Sequence, residues 1–266
     1  MQPVHPVPPA AGVPGCLNCG GPRYGDFCHL CGQDHLEGRS TVGGILKEFM
    51  AQSLSLESGL LHTFAELSLR PGRMIREYVW GRRRRFTHPV AYLLLSAAAS
   101  AAVWPLRERA FTASMGGDAS GDVLLDQAFV QVMQALETHP VFSTILICCF
   151  FVPLQRLLFA GQITTADAFV YALFLFGHAL FWESLLTPVA ALVFTNSNGV
   201  ADYATPAIIL YLVFAAAWGF FGPRLSTFVR TGVVIAGACF GLMMVLATAV
   251  GAWYALLFIA QGAPSQ

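Results

Sequence analysis

Charge is what this 266-residue sequence has least of: Asp, Glu, Lys and Arg together make up 11%. A soluble globular domain carries about 25%. The shortfall excludes a disordered chain, a nucleic-acid-coating protein and an ordinary soluble enzyme, and it favours an integral membrane protein. Lysine is nearly missing, since Lys47 stands alone beside fourteen arginines. No long apolar run occurs before Val90, and the first residues show neither a charged n-region nor an apolar h-region, so no signal peptide is expected. A spread of cysteines is also lacking: Cys16, Cys19, Cys28 and Cys31 lie in the polar head, and Cys148, Cys149 and Cys239 lie inside apolar runs. That excludes the disulfide framework of a small secreted domain. What is present is apolar: 56% of residues are hydrophobic, with a mean hydropathy of +0.60.

The chain divides by composition. Residues 1–15 hold five prolines and no charge, which reads as a disordered leader. Residues 16–36 carry the four head cysteines. Residues 41–88 show helical periodicity in three pieces: Ile45, Leu46, Phe49, Met50 and Leu54; then Leu60, Leu61, Phe64 and Leu67; then Met74, Ile75, Tyr78 and Val79 after Pro71. None is long enough to span, so they are expected to be amphipathic basic helices lying on a bilayer. Residues 89–260 contain five apolar runs, 89–106, 141–158, 168–193, 207–222 and 228–260, the third interrupted by Pro188 and the fourth short for a ~30 Å core. An amphipathic helix with Leu125, Phe129, Val132 and Leu136 is expected between the first two. The expected fold is an all-α membrane protein: about five transmembrane helices, a small N-terminal four-cysteine zinc ribbon and amphipathic juxtamembrane helices.

Orientation follows from the arginines. With residues 1–88 inside, the inner segments collect thirteen Lys and Arg and the outer ones only Arg107 and Arg109. The positive-inside rule then places the N-terminus in the cytoplasm and, for five spans, the C-terminus outside. A four-thiol metal head in a reducing compartment agrees with this independently. The net charge of zero is thus a cancellation across the membrane, because the outer loop holds Asp118, Asp122, Asp126 and Glu137.

Cys16-Leu-Asn-Cys19 and Cys28-His-Leu-Cys31 form a C-x2-C-x8-C-x2-C array. Each C-x2-C brings two thiolates to one ion from a tight turn, with Gly20 and Gly32 where the backbone folds back. Four thiolates leave no open position, so a structural Zn2+ is expected, with a rubredoxin-like iron site the runner-up. His29 and His35 are expected to be bystanders, and Tyr24 and Phe27 can cover the site. Arg70, Arg73, Arg76, Arg82, Arg83, Arg84 and Arg85 adjoin the first span and are expected to meet anionic lipid headgroups, the bland alternative being that they merely enforce topology. Nucleic acid is disfavoured, because this basic run lies against the bilayer and aromatic platforms are sparse. His178 and Glu183 form a candidate intramembrane polar site, yet five positions place them about 140° apart around a helix. The bland reading gives each a neighbouring partner: Tyr171, Tyr211, Thr187 or a carbonyl freed by Pro188. Gly237 and Gly241 permit close helix packing, within the bundle or with a second copy.

The head followed by LESGLLHTFAELSLRPGRMIREYVWGRRRRFTHPVAYLL resembles a bacterial family of multi-pass membrane proteins of unknown function. That family carries an N-terminal zinc ribbon and an R-P-G-x-x-I-x-x-Y-x-x-G-x-R signature, matched by Arg70, Pro71, Gly72, Ile75, Tyr78, Gly81 and Arg83, with Phe86 and Pro89 following. The resemblance implies architecture and no activity. Its acidic-His pair opening the third span is replaced by Asp167-Ala168, which argues against histidine chemistry there. The leading expectation is a non-enzymatic inner-membrane protein whose ribbon and basic helices dock a cytoplasmic protein. The alternative is a small permease or exporter, as a homo-oligomer, with a path near His178 and Glu183. An intramembrane enzyme is third, since no nucleophile–base pair falls on one face.

Overall fold

A chain this apolar must satisfy its backbone polar groups internally, and helices do so within one segment. The structure, a computed structural model, describes residues 15–22, 28–33, 43, 59–115, 123–193 and 198–260. Its eight named helices are α1 (Leu60–Leu69), α2 (Pro71–Val79), α3 (Pro89–Met115), α4 (Val123–Thr138), α5 (Pro140–Leu158), α6 (Thr165–Val193), α7 (Asn198–Phe221) and α8 (Leu225–Ala260). The expected leader, the helix over Ile45–Leu54, and Tyr24, Phe27 and His35 lie outside the described residues.

Four helices are long and apolar enough to cross a membrane: Pro89–Leu106, Pro140–Leu158, Thr165–Val189 and Leu225–Ile259. The apolar stretch Ala207–Phe221 within α7 is shorter. Each of the five apolar runs thus coincides with a helix. Helix α3 begins with its run at Pro89 and α5 one residue early at Pro140, while α6, α7 and α8 begin three to nine residues before theirs. At α6 the start is a reciprocal cap: the Thr164 Oγ1 accepts the Asp167 N–H at 3.2 Å, and Asp167 Oδ2 accepts the Thr164 N–H at 3.1 Å. This capping box assigns Asp167 a helix-starting role. Pro188 does not interrupt α6, which continues to Val193; a proline in a membrane helix is tolerated where neighbours re-satisfy the backbone.

Small residues set the closest packing, as expected where lipid removes the usual hydrophobic drive between helices. Ala91, Ser96, Ala97 and Ser100 of α3 are buried. A Cβ on Gly177 of α6 would lie 3.2 Å from Leu93 Cα, so the α3 and α6 backbones nearly touch. Gly237 and Gly241 of α8 face Leu154 and Phe150 of α5, which places this small-residue pair inside the bundle. Phe159, after α5, stacks on Phe221 at the end of α7 with centroids 3.8 Å apart. The α5–α6 turn and the α7–α8 turn, where Gly222 has φ +98, therefore share one end of the bundle.

The segment before α3 covers that end. The apolar stripe of α2, Met74, Ile75 and Tyr78, is buried, and Tyr78 meets Phe174 of α6 edge-on at 5.1 Å. Phe64 of α1 lies 5.0 Å from His178 and 5.3 Å from Phe181. The expectation that α1 and α2 lay their apolar faces on lipid is corrected for most of the stripe: Phe64, Leu67, Met74, Ile75 and Tyr78 pack on protein, while Leu61 is 81% exposed. Amphipathic spacing states that a face is apolar and leaves open what covers it.

Candidate metal centre and the arginine turn

The two cysteine turns are built alike. The Cys16 N–H donates to Gly21 O at 2.7 Å and the Gly20 N–H to Cys16 O at 2.8 Å; the Cys28 N–H donates to Gln33 O at 2.8 Å and the Gly32 N–H to Cys28 O at 2.7 Å. Gly20 and Gly32 have φ of 77° and 69°, a left-handed backbone that costs glycine little. An antiparallel bridge between Gly15 and Pro22 closes the first turn. Facing each other, the turns bring four sulfurs within 4.8 Å of one another. Cys16 Sγ is 3.7 Å from Cys31 Sγ, and Cys19 Sγ is 3.5 Å from Cys28 Sγ. Four thiolates about 2.3 Å from a tetrahedral zinc would stand about 3.8 Å apart, so the cluster has the size of a tetrahedral metal site. A bound ion there would supply a cross-link between the turns and no open coordination position. Burial pushes the Cys19 thiol up to about 12. Burial acts the same way on Cys28, but the backbone N–H groups of Cys31 and Leu30 and the neighbouring thiols bring it down to about 7.

The cluster is fastened to the turn that joins α2 to α3. Gln33 Nε2 donates to Gly81 O at 2.5 Å, and Arg84 Nε donates to Cys31 O at 3.2 Å. Gly81 has φ +100, and a Cβ on it would lie 2.7 Å from Leu17 Cδ1 of the first cysteine turn. The glycine of the signature thus serves both a left-handed turn and a close approach of the metal head. Thr63, fully buried in α1, accepts the Thr87 N–H at 2.9 Å and pins the turn's far end.

The seven arginines divide. Arg76 is held by protein: its Nη2 donates to Phe220 O at 2.7 Å and also to Gly219 O, satisfying the last carbonyls of α7. A cation at a helix C-terminus is favoured by both hydrogen bonding and the helix dipole. Glu77 gathers three others. Arg73 Nε lies 3.0 Å from Glu77 Oε1, while Arg82 Nη1 and Arg85 Nη1 each lie 3.8 Å from Oε2. Arg83 sits 5.6 Å over the Tyr78 ring. Arg70, Arg73, Arg82, Arg84 and Arg85 are exposed, so five of the seven present guanidinium groups outward.

Residues 57–100 match one family model. Its description is a protein of unknown function, DUF3667. The matched stretch runs through α1, α2, the arginine turn and the first turns of α3, the part that ties the head to the bundle. No curated protein and no solved structure matches the chain. The chain is therefore described as a multi-pass membrane protein of unknown function with a four-cysteine cluster at its N-terminus.

His178 and Glu183 are not brought together. His178 is 1% exposed. Tyr92 Oη lies 2.7 Å from its Nδ1; Ser68 Oγ and Trp182 Nε1 each lie 3.1 Å from its Nε2. An indole N–H only donates, so Nε2 accepts and the proton belongs on Nδ1, given to Tyr92 Oη. None of these three partners was among the expected ones. Ser68 and Tyr92 come from α1 and α3, distant in sequence, and no periodicity announces them. Glu183 is half-buried on another side of α6, and its backbone carbonyl accepts the Thr187 hydroxyl at 2.8 Å.

Proposed function

We propose that the protein is a non-enzymatic, multi-pass inner-membrane protein of a bacterium, in which a structural Zn2+ head displays a docking surface for a cytoplasmic protein. The observation that carries this reading is the double fastening of the cysteine turns to the arginine turn, through Gln33 to Gly81 and Arg84 to Cys31. A tethered head would need neither bond. A fixed one holds the exposed Leu30 of the second cysteine turn, to which Arg84 is bonded through Cys31 O, at a set place relative to the bundle. On this reading the short apolar stretch Ala207–Phe221 of α7 is a fifth crossing beside the four longer ones, and the positive-inside rule then favours a cytoplasmic head and an outer C-terminus. The outward arginines meet anionic headgroups at the same end of the bundle.

The permease alternative has less support. His178 is packed among Phe64, Tyr92 and Trp182 with polar partners on both ring nitrogens, which is how a structural histidine is held. Co-purification from native membranes tests the docking reading. Partners present with the wild type are expected to be lost from Cys16→Ser/Cys19→Ser, with the variant still inserted. Unchanged partners would overturn docking by the head. Liposome flux abolished by Glu183→Gln would instead favour the permease.

A further inference from the structure

A cleft of about 780 Å³ opens between the α1–α2 junction and the outer faces of α7 and α8. Its walls are apolar and aromatic, with Leu210, Phe214 and Trp218 from α7 and Phe228 from α8, and its rim carries Arg70 and Arg73. Leu210 and Trp218 are each 49% exposed on an apolar helix, so the cleft opens where acyl chains lie. Two further features gather at the rim. The first turn of α2 begins with Pro71, which has no N–H, and its buried Gly72 packs on α7, so this uncapped end favours an anion through the helix dipole rather than through open donors. Arg70 has no ion-pair partner among the described residues, and Arg73, exposed at 63%, shares only Glu77.

An apolar slot with two guanidinium groups and an uncapped helix N-terminus at one edge matches an amphiphile with a phosphate head. We infer that this cleft is a discrete site for one acidic phospholipid, with the phosphate on Arg70, Arg73 and the α2 N-terminus and an acyl chain along Phe214 and Trp218. The inference rests on the reading that these arginines face headgroups, and it goes further by naming one lipid class and one place. Zwitterionic lipid fits less well, because its quaternary ammonium would meet the same two arginines. Arg76, whose guanidinium is taken up by the Gly219 and Phe220 carbonyls, and Arg83 and Arg84, which contact Tyr78 and Cys31, take no part.

The test uses the full chain purified in a mild detergent, with native mass spectrometry counting retained dioleoyl phosphatidylglycerol against dioleoyl phosphatidylcholine. Wild type is expected to retain one phosphatidylglycerol saturably and phosphatidylcholine weakly. Arg70→Gln/Arg73→Gln should weaken retention by about thirtyfold, at about fivefold per arginine, and Arg70→Lys/Arg73→Lys should restore most of it. Ala215→Leu, which narrows the cleft without touching charge, should weaken it as well. Equal retention of the two lipids, or a saturable lipid indifferent to all these variants, would overturn the site. So would glycerol 1-phosphate competing as well as the whole lipid, since the slot would then contribute nothing. Arg82→Gln/Arg84→Gln/Arg85→Gln separates the two readings. It is expected to reduce the loosely held acidic lipids while sparing the saturable one. Loss of loosely held lipid with no saturable lipid in the wild type defeats the cleft and leaves the headgroup reading standing.

Discussion

Gly72→Ala is the sharpest perturbation available, because a single methyl group tests how α2 is seated. A Cβ at Gly72 would lie 2.5 Å from Phe220 N and 2.6 Å from the Gly219 carbonyl carbon, and closer still to the Ala216 carbonyl oxygen. All three are backbone atoms of α7, so no side chain can swing aside. Carbon contacts relax at about 3.5 Å or more, so α2 must retreat by roughly 1 Å. Overpacking of this kind costs about 1–3 kcal/mol, against which alanine returns up to about 1 kcal/mol of helix propensity. The retreat also stretches the Arg76 bonds to Gly219 and Phe220. On the scaling for chains of this size, a net loss of about 1–2 kcal/mol lowers Tm by about 2–8 °C. The assay is thermal unfolding of the detergent-solubilised full chain. Gly232→Ala in α8 is the internal control, since a Cβ there meets nothing within 4 Å; its Tm should hold or rise. Gly219→Ala should resemble Gly72→Ala, because its Cβ would lie 2.9 Å from Gly72 Cα, and the two effects should not add. If Gly72→Ala and Gly232→Ala unfold at the same temperature, the seating of α2 on α7 is wrong.

Four further outcomes follow from the geometry. The head should bind one Zn2+ per chain by elemental analysis, and Cys16→Ser/Cys19→Ser should bind none. Metal uptake should strengthen as pH rises, because binding displaces thiol protons and burial holds Cys19 protonated across this range; titration with a chromogenic chelator between pH 6 and 8 reads the slope. Arg76→Gln should uncover the last carbonyls of α7 at a cost of about 1–3 kcal/mol, seen as faster amide exchange around Gly219 and Gly222 while α3 stays protected. His178→Phe should leave the Tyr92, Ser68 and Trp182 polar groups without their shared partner and lower Tm by several °C in thermal unfolding of the solubilised chain.

Much of this architecture is legible in the sequence, for identifiable reasons. The four-cysteine cluster is legible because two C-x2-C turns can meet only around a small common volume, and Gly20 and Gly32 mark where each turn must fold back. The long helices are legible because an apolar run of spanning length has few other uses. The seating of α1 and α2 is not. Met74, Ile75 and Tyr78 advertise an apolar stripe, but lipid and protein accept such a stripe equally, and only the close approach of Gly72 to Gly219 decides for protein. The division of the arginines is hidden for a related reason: Arg76 and Arg73 are one turn apart in sequence, yet one reaches the end of α7 and the other pairs with Glu77. Ser68 and Tyr92 are hidden as partners of His178 because hydrogen bonds between helices carry no period, whereas Trp182, four residues on in the same helix, stands at a readable spacing. Asp167 shows the opposite case, in which Thr164-x-x-Asp167 is a capping pattern readable from spacing alone.

A metal-held head fixed on the arginine turn, as proposed, would display a protein-docking face in the cytoplasm. A photo-crosslinking residue at Leu30, which is 56% exposed on the second cysteine turn, measures it in living cells. A discrete crosslink to a cytoplasmic protein is expected, disappearing when Cys16 and Cys19 are replaced by serine and weakening when Arg84→Gln loosens the head. A crosslink to periplasmic protein, or one unchanged by loss of the cysteines, would contradict the proposal.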